Sequence, residues 1–457
     1  MFFQQIKVEG LSCFSYVIGC PQDGRVFVVD PKRDSDDYLR IADENGLTIS
    51  GIIDTHVHAD HISGAHELGV HTGAPIYVSE KADFDYEHEV LRDGDRFELG
   101  SVLIEVIYTP GHTPNSVTLA VSDKARSLSP EIILTGDLLF VGSIGRPDLA
   151  GGELLDEQIT SEYASLHEKL GKLPDFVEIY PAHGAGSLCG AGLSTKPSST
   201  LGFERATDPY FTFSLDQFKT ELTRTTPVRP KNFSYIIAHN KKGPLLLKDL
   251  PPVDHFDYTA LKRFVDDGKT LVDLRDASSF GGAHIPGSIN IGFSPQVANW
   301  FGMTIDPREE LALIANRKRD SEDTLLHVRR AGYDCIAGYC IGIADWISHG
   351  EETGFLPQLS VYRLKSMLEG DDGHCVIDVR TEQEWNAGHI KGARHIPIQE
   401  IIAHGLHLEK EDHISVICGS GYRSNIAGSL LKARGYLRIN SVIGGMNAWK
   451  MKYEVEQ

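Results

Sequence analysis

The chain has 457 residues, of which 41% are hydrophobic and 24% charged, as in globular domains with packed cores. It carries 44 Lys and Arg against 64 Asp and Glu, giving a formal net charge of −20. Phosphate backbones and anionic lipid surfaces repel such a chain, so we expect no nucleic-acid partner. We also expect no membrane partner, because no apolar run approaches the ~18 residues of a spanning helix.

The first residues and the cysteines indicate a reducing compartment. The N-terminal sequence MFFQQIKVEGLSCFSYVIG alternates like a strand and lacks the basic and apolar regions of a signal peptide. The seven cysteines are sparse, odd in number and contain no C-x-x-C pair. We therefore expect a cytoplasmic protein with free thiols.

The first 245 residues mix short strands and helices and are predicted to form the first domain. Predicted strands are Val26–Val29, Ile49–Ile53, Val102–Tyr108, Ser116–Val121, Ile132–Leu134 and Phe176–Ile179. Predicted helices are Asp36–Asn45, Asp156–Leu170 and Leu215–Thr223. The Ser-, Thr-, Pro- and Gly-rich stretch Leu193–Pro209 is predicted to be a loop, and a second break at Asn240–Pro252 ends the domain.

Metal-ligating side chains follow several of these strands. Residues 55–61 read THVHADH and closely follow the buried strand Ile49–Ile53. His112 (in TPGHT), Asp137 (in LTGD) and His183 (in PAHG) follow other strands. Imidazole and carboxylate are the ligands that Zn and non-heme Fe(II) prefer. The pattern predicts one metal site at one edge of a sheet sandwich.

These four motifs, in this order, resemble the metallo-β-lactamase superfamily, and the resemblance implies an αββα sandwich. Within it, GDLLFVGSIGRPDL at 136–149 is most similar to the persulfide dioxygenases, especially those fused to rhodanese domains. That family binds one Fe(II) through two His and one Asp, which implies His56, His112 and Asp137 here. The open coordination positions of such a triad accept substrate and O₂.

A two-zinc thioester hydrolase of the hydroxyacylglutathione type is the alternative reading. The sequence contains a complete dinuclear set, formed by the three iron-ligand candidates together with His58, Asp60, His61 and His183. In the dioxygenase reading, those four residues orient ligands and hold water. The resemblance also implies that Arg146 and Tyr180 contact the substrate, and Cys189, near His183, is a candidate sulfur relay.

The remainder of the chain contains an internal repeat. DLRDASSFGGAHIPGSINI at 273–291 matches DVRTEQEWNAGHIKGARHI at 378–396 with an offset of 105 residues. Each unit is a normal small-domain size, and we predict domains at 253–354 and 357–457. Alternating helices and strands favour α/β domains with parallel sheets, so the whole chain is an α/β multidomain protein.

The second unit contains CGSGYRS at 418–424, between a predicted strand and a predicted helix. Backbone amides at a helix start favour a thiolate at Cys418, and Arg423 adds a cation. This motif, with DVR, GHIKGA and GGMNAW, resembles the rhodanese family and implies that Cys418 carries a persulfide. Four residues separate Cys418 from Arg423, whereas the related phosphatases have five, which accommodate a larger oxyanion. We therefore do not expect phosphatase activity.

The first unit departs from this pattern. The residue 105 positions before Cys418 is Leu313, and no cysteine lies in that region. Cys335 and Cys340 come later and are read as core thiols. We therefore predict a rhodanese-like domain without its nucleophile.

Together these features predict a persulfide dioxygenase and sulfurtransferase for sulfide detoxification. Fe(II) and O₂ would oxidise a small thiol persulfide, such as glutathione or coenzyme A persulfide, to sulfite and free thiol, and Cys418 would form or use thiosulfate. A sulfur carrier with a vestigial metal domain is a further alternative. The direction of sulfur flow, channelling between sites and homo-oligomerisation stay open.

Overall fold

The computed structural model describes residues 1–190, 192–224, 228–370 and 374–457. The chain divides into two compact units. The first comprises Met1–Leu250 with the short segment His327–Gly332, and the second comprises Pro251–Leu326 with Tyr333–Gln457. Within the described ranges, no helix is both long and apolar enough to cross a membrane.

Two six-stranded sheets form the first unit. The strands are β1 (Phe2–Val8), β2 (Cys13–Cys20), β3 (Arg25–Val29), β4 (Thr48–Ile53), β5 (Ile76–Ser79), β6 (Glu89–Leu91), β7 (Arg96–Leu99), β8 (Val102–Tyr108), β9 (Val117–Asp123), β10 (Ile132–Gly136), β11 (Glu178–Pro181) and β12 (Ser199–Thr200). One sheet has the order β1 to β6, and the other runs from β12 back to β7.

The two sheets pack face to face, and helices cover both outer faces. The helices are α1 (Asp36–Glu44), α2 (Ala65–Thr72), α3 (Leu155–Ala164), α4 (Leu201–Thr207), α5 (Leu215–Arg224) and α6 (Phe233–Lys242). One core joins the sheets through side chains such as Ile18 and Val121. A second packs Tyr38 of α1 against the first sheet, and a third packs Ile159 of α3 against the second sheet. Central strands such as β2, β9 and β10 are buried along their length, because one face packs on the other sheet and one on helices. The unit is thus the predicted αββα sandwich.

The second unit contains two five-stranded, all-parallel sheets. The first uses β13 (Asp254–His255), β14 (Thr270–Asp273), β15 (Ile289–Asn290), β16 (Leu311–Ala315) and β17 (Ile336–Ile341), with α7 (Tyr258–Asp266), α8 (Ala277–Gly282), α9 (Val297–Thr304), residues 318–326 of α10 (Lys318–Arg330) and α11 (Ala344–Ser348). The second uses β18 (Gln358–Leu359), β19 (Cys375–Asp378), β20 (Arg394–His395), β21 (His413–Ile417) and β22 (Arg438–Val442), with α12 (Val361–Glu369), α13 (Glu382–Asn386), α14 (Ile398–His404), α15 (Tyr422–Ala433) and α16 (Gly445–Lys450). The predicted fold class is therefore confirmed in both units.

One local prediction is wrong. The stretch Leu193–Pro209, predicted to be a loop, contains helix α4. The Thr200 hydroxyl caps that helix by accepting a hydrogen bond from the backbone N–H of Phe203 at 3.3 Å. The Ser and Thr content that favours a loop also favours a helix N-cap, and the composition alone does not separate the two.

Candidate functional site

The predicted metal ligands lie on loops that follow strands of both sheets of the first unit. The loop Thr55–His61 follows β4, His112 follows β8, Asp137 directly follows β10 and His183 follows β11. Because β8 and β10 both run antiparallel to β9, their carboxyl ends meet at the same edge of the sheet. The fold therefore brings side chains distant in sequence into one buried site.

Three donor atoms of this site face one another. They are Nε2 of His56, Nε2 of His112 and Oδ2 of Asp137, and all lie within 4.8 Å of each other. The carboxylate oxygen is 3.7 Å from the His56 nitrogen and 3.4 Å from the His112 nitrogen. All three atoms are buried, and none has a hydrogen-bond partner among the described residues. Since buried polar atoms are almost always paired, this cluster fits a bound cation.

Hydrogen bonds behind the two imidazoles fix which nitrogen faces the cluster. His112 donates from Nδ1 to the carbonyl of Arg146 at 3.1 Å. His56 donates from Nδ1 to the Thr55 hydroxyl at 3.0 Å, and that hydroxyl donates to Asp30 at 2.8 Å. With each proton held on Nδ1, each Nε2 presents its lone pair to the shared centre.

The charge states also suit metal binding. Burial, reinforced by the neighbouring His58, holds the pKa of His56 well below its usual value. Burial likewise lowers the pKa of His112. Burial opposes ionisation of Asp137, but His183 and His56 outweigh it and hold the pKa of the carboxyl below its usual range. Neutral imidazole and ionised carboxylate are the forms that bind metals.

A second buried cluster contains Cys13, Asp60, His61 and His183. Its donor atoms bond to one another. Asp60 accepts from His183 Nε2 at 2.8 Å, from the Cys13 thiol at 3.4 Å and from His61 Nδ1 at 3.1 Å. The other ring nitrogen of His183 donates to Asp137 Oδ1 at 2.6 Å. Burial opposes a charge on His183, yet these carboxylates raise its pKa well above the usual value. The polar atoms of the second cluster thus have hydrogen-bond partners within the cluster, whereas the three donor atoms of the first cluster have none among the described residues.

The remaining histidine of the motif, His58, lies beside the first cluster. Its Nε2 donates to Asp30 at 3.1 Å, and its ring centre is 4.2 Å from that of His56. Its Nδ1 is buried and has no partner among the residues described. His58 groups with Asp30 and Asp54 as possible ligands, not with the three-donor cluster.

Arg146, predicted to contact substrate, has partners within the fold. Its guanidinium pairs with both oxygens of Asp148, at 2.8 and 2.6 Å, and donates to the Leu188 carbonyl at 3.2 Å. Its own carbonyl orients His112, as described above. The backbone of Arg146 therefore orients the candidate ligand His112. A contact of its side chain with substrate stays a prediction.

Tyr180, the other predicted substrate contact, is half-buried and packs against the core between the sheets. Its hydroxyl donates to Glu178 at 2.7 Å, and its ring meets Phe3 edge-on with centres 4.7 Å apart. Burial and Glu178 raise its pKa to about 12. The hydroxyl is thus engaged by Glu178, and a role toward substrate stays a prediction.

Two thiols flank His183. The Cys189 sulfur lies within 4.8 Å of the donor atoms of Asp137 and His183, and burial raises the pKa of this thiol well above its usual value. The Cys13 sulfur lies 3.1 Å from His183 Nε2. Sequence reasoning missed Cys13, because it lies in a strand far from every histidine motif. An isolated bridge between Cys13 and His183 brings the two together.

The second predicted site is the loop between β21 and α15. Cys418 is buried at the end of β21, and its sulfur accepts a hydrogen bond from the Gly421 N–H at 3.1 Å. Gly421 has φ +108°, which a residue with a side chain rarely adopts. Arg423 forms a bidentate pair with Glu384, at 2.7 and 2.6 Å. The loop presents a thiol, an amide and an oriented guanidinium in one turn.

The corresponding loop of the first repeat is shorter. There β16 ends at Ala315 and α10 begins at Lys318, so only Asn316 and Arg317 connect them. The second repeat uses four residues, 418–421, between Ile417 and Tyr422. Asn316 is therefore the residue that follows the strand in place of Cys418, and Leu313, the residue at the sequence offset, lies inside β16.

Family models match most of both units. The model described as "Metallo-beta-lactamase superfamily" matches residues 8–183, and the "Rhodanese-like domain" model matches residues 257–349 and 360–452. Among solved structures, a metallo-beta-lactamase from Staphylococcus aureus subsp. aureus COL is 31% identical, with a TM-score of 0.67. The alignment covers 75% of this chain and 99% of that one.

Curated relatives match about half of the chain. An uncharacterized protein of Mycobacterium leprae is 33% identical over 226 residues, which cover 44% of this chain and 94% of the relative. The mitochondrial persulfide dioxygenase ETHE1 of Bos taurus is 28% identical over 243 residues, which cover 51% of this chain and 85% of the relative.

Proposed function

Because the chain belongs to the metallo-beta-lactamase superfamily and carries two rhodanese-like domains, we propose that it is an iron-dependent persulfide dioxygenase joined to a sulfurtransferase. It would convert a small thiol persulfide, O₂ and water into the free thiol and sulfite. Glutathione and coenzyme A persulfides are the substrates we expect. The similarity to the persulfide dioxygenase of Bos taurus supports this chemistry.

The observation that carries the proposal is the trio of unpartnered donor atoms on His56, His112 and Asp137. Two imidazoles and one carboxylate are the donor set of non-heme Fe(II) oxygenases, and they would hold the ion. A bound Fe(II) would supply open positions at which persulfide and O₂ meet. One ion is favoured over two because the second cluster satisfies its donors with internal hydrogen bonds.

Protein groups around the trio would prepare it for this chemistry. The doubly hydrogen-bonded His183 holds one oxygen of Asp137 and leaves the other directed at the two imidazoles. Thr55 keeps the proton of His56 away from the centre. Complete burial of the ligands excludes bulk water, which strengthens every electrostatic interaction there.

Sulfur transfer is assigned to the second rhodanese-like domain. Cys418 would accept a sulfane sulfur and pass it to sulfite, forming thiosulfate, or run the reverse reaction with a thiol acceptor. Arg423 would attract the anionic donor. The first rhodanese-like domain has no cysteine in its loop, 316–317, and would not take part in the covalent step. We place this activity in the cytoplasm, in keeping with the free thiols of the seven cysteines.

The hypothesis that Cys189 relays sulfur, one of two roles that the sequence leaves open, is tested separately. In a Cys189→Ser variant, a relay role requires that the ratio of sulfite to thiosulfate rises while O₂ uptake stays unchanged. A Cys20→Ser variant, which alters a thiol outside both clusters, is the control. Unchanged turnover and an unchanged product ratio in Cys189→Ser would contradict a relay role for this thiol.

The metal assignment is tested on anaerobically purified protein by metal analysis and O₂ uptake with glutathione persulfide. We expect about one iron per chain and rapid O₂ uptake. His112→Ala should lose both, and His88→Ala, a histidine outside the metal-ligand clusters, should lose neither. About two zinc per chain without O₂ uptake would contradict the proposal and favour the thioester hydrolase. Metal-free protein that still forms a persulfide at Cys418 would favour the sulfur carrier.

A further inference from the structure

Helix α15 presents a row of polar side chains to the first rhodanese-like domain. Tyr422, Asn425 and Ser429 lie three and four residues apart, which places them on one face of the helix. The Tyr422 hydroxyl donates to the carbonyl of Gly292 at 2.8 Å, and the Ser294 hydroxyl lies 3.1 Å from it. The first residue of the helix is therefore bonded to the neighbouring domain.

The other two side chains of the row bond to Asn290, at the end of β15. The Asn425 amide donates to the Asn290 side-chain oxygen, and the Ser429 hydroxyl accepts from the Asn290 backbone N–H at 3.0 Å. The side chains of Asn290, Asn425 and Ser429 are buried. A buried set of paired polar groups favours one geometry over alternatives, because a shift would leave donors and acceptors unpaired.

Tyr422 is the first residue of α15 and adjoins the sulfur-transfer loop, residues 418–421. It directly follows Gly421, whose N–H is the donor to the Cys418 sulfur. Its ring also lies 6.2 Å from that of Trp300 in the first rhodanese-like domain. Holding Tyr422 therefore restricts the adjoining Gly421, whose N–H contacts the sulfur.

We propose that Tyr422 is a positioning residue for sulfur transfer, through which the first rhodanese-like domain fixes the Gly421 amide against Cys418. This inference rests on the sulfurtransferase function proposed above. In the step concerned, the Cys418 thiolate attacks the outer sulfur of thiosulfate and a new S–S bond forms. The original S–S bond breaks, and sulfite leaves with its electron pair. The Gly421 N–H stabilises the sulfur that carries the charge before attack.

Donor binding relies on a different contact. The Arg423 guanidinium is held by Glu384, which belongs to the same rhodanese-like domain as the loop. That pair does not involve Tyr422. Removing the tyrosine hydroxyl should therefore slow the transfer step and leave the attraction for the anionic donor in place.

The test uses full-length protein and single-turnover formation of the Cys418 persulfide, followed by mass spectrometry at saturating thiosulfate. In Tyr422→Phe, the rate constant should fall about three- to tenfold, the effect of one lost hydrogen bond, with the final amplitude unchanged. A purely structural defect lowers the amplitude and leaves the rate constant alone. Tyr436→Phe, which removes a hydroxyl bonded to the Leu406 carbonyl in the same domain, is the matched control and should keep the wild-type rate constant.

Ser294→Ala gives a second, independent readout. Because the contact of Ser294 with α15 among the described residues is the one to the Tyr422 hydroxyl, the double variant Tyr422→Phe with Ser294→Ala should be no slower than Tyr422→Phe alone. A wild-type rate constant in Tyr422→Phe, or additive losses in the double variant, would overturn the inference. Wild-type protein that forms no persulfide at Cys418 would overturn the sulfurtransferase function itself, and the two failures are thereby distinguished.

Discussion

At the scale of single residues, the metal centre depends on which nitrogen of each histidine carries its proton. The Thr55 hydroxyl links His56 to Asp30 and holds that proton on Nδ1. The Arg146 carbonyl does the same for His112. Groups outside the three-donor cluster therefore decide whether the lone pairs face its centre.

We expect Thr55→Val to weaken iron binding by about 10- to 100-fold, the usual cost of losing such an outer partner. The measurement is iron retained during titration with a chelator. Thr118→Val supplies the control, because it also removes a buried hydroxyl, one bonded to Thr109 and not to a histidine. Equal iron affinity in Thr55→Val and wild type would show that the hydroxyl does not orient His56.

At the scale of elements, helix α16 and the sulfur-transfer loop are in close contact. The Met446 N–H donates to the Cys418 carbonyl at 2.7 Å. Gly445, at φ +53°, brings its backbone so near that an added Cβ would lie 2.3 Å from the same carbonyl oxygen. A glycine is required there by both backbone conformation and space.

Gly445→Ala should therefore destabilise the protein more than a glycine change that only strains the backbone. We expect a loss of about 3 kcal/mol or more, against about 1–2 kcal/mol for Gly435→Ala. Gly435 has φ +86° and no neighbour within 4 Å of an added Cβ. Urea unfolding measures both losses, and equal values would contradict the close contact with the loop.

The turn after α4 introduces a pH-dependent contribution to stability. Asp208 accepts a hydrogen bond from the Tyr210 N–H at 3.0 Å, and its other oxygen has no partner in the described part of the chain. Burial raises its pKa to about 6; the Tyr210 N–H opposes this shift and Glu204 adds to it. The unfolded carboxyl has a pKa of about 4. The associated stabilisation is thus complete below pH 4 and is lost as the pH rises through 6.

Asp208→Asn keeps the capping oxygen but cannot ionise. Relative to wild type, we expect its free energy of unfolding to increase by roughly 1–2 kcal/mol between pH 4 and pH 8. Thermal unfolding across that range measures the difference. Asp216→Asn, at an exposed position at the start of α5, controls for the change in net charge. A difference that does not vary with pH would refute a raised pKa at Asp208.

At the scale of the whole molecule, pattern and motif predicted the fold class well, because buried strands and repeated motifs leave strong local signals. The strand Val102–Tyr108 was predicted with its observed bounds. Features that depend on three-dimensional contacts were not predictable. The approach of Cys13 to His183 arises from an isolated bridge between distant segments, and the bonds from Tyr422 to the first rhodanese-like domain cross a domain boundary.

The two repeats also differ in a way that a motif alignment does not predict. The offset of 105 residues holds for β14 and β19, but β16 and β21 are related by 102 residues. A motif alignment carried past such a length change misplaces the equivalent of Cys418 by three residues. The placement of the ligand side chains at one sheet edge was foreseeable, whereas the hydrogen bonds that separate the two clusters were not.

The central proposal is that the first unit is an iron-dependent persulfide dioxygenase. It is tested most directly by the stoichiometry of Cys418→Ser with glutathione persulfide, measuring O₂ consumed and sulfite formed together. We expect one sulfite for each O₂, as the balanced reaction requires, and no thiosulfate. Formation of sulfite without O₂ uptake, or the absence of both sulfite formation and O₂ uptake, would contradict a persulfide dioxygenase.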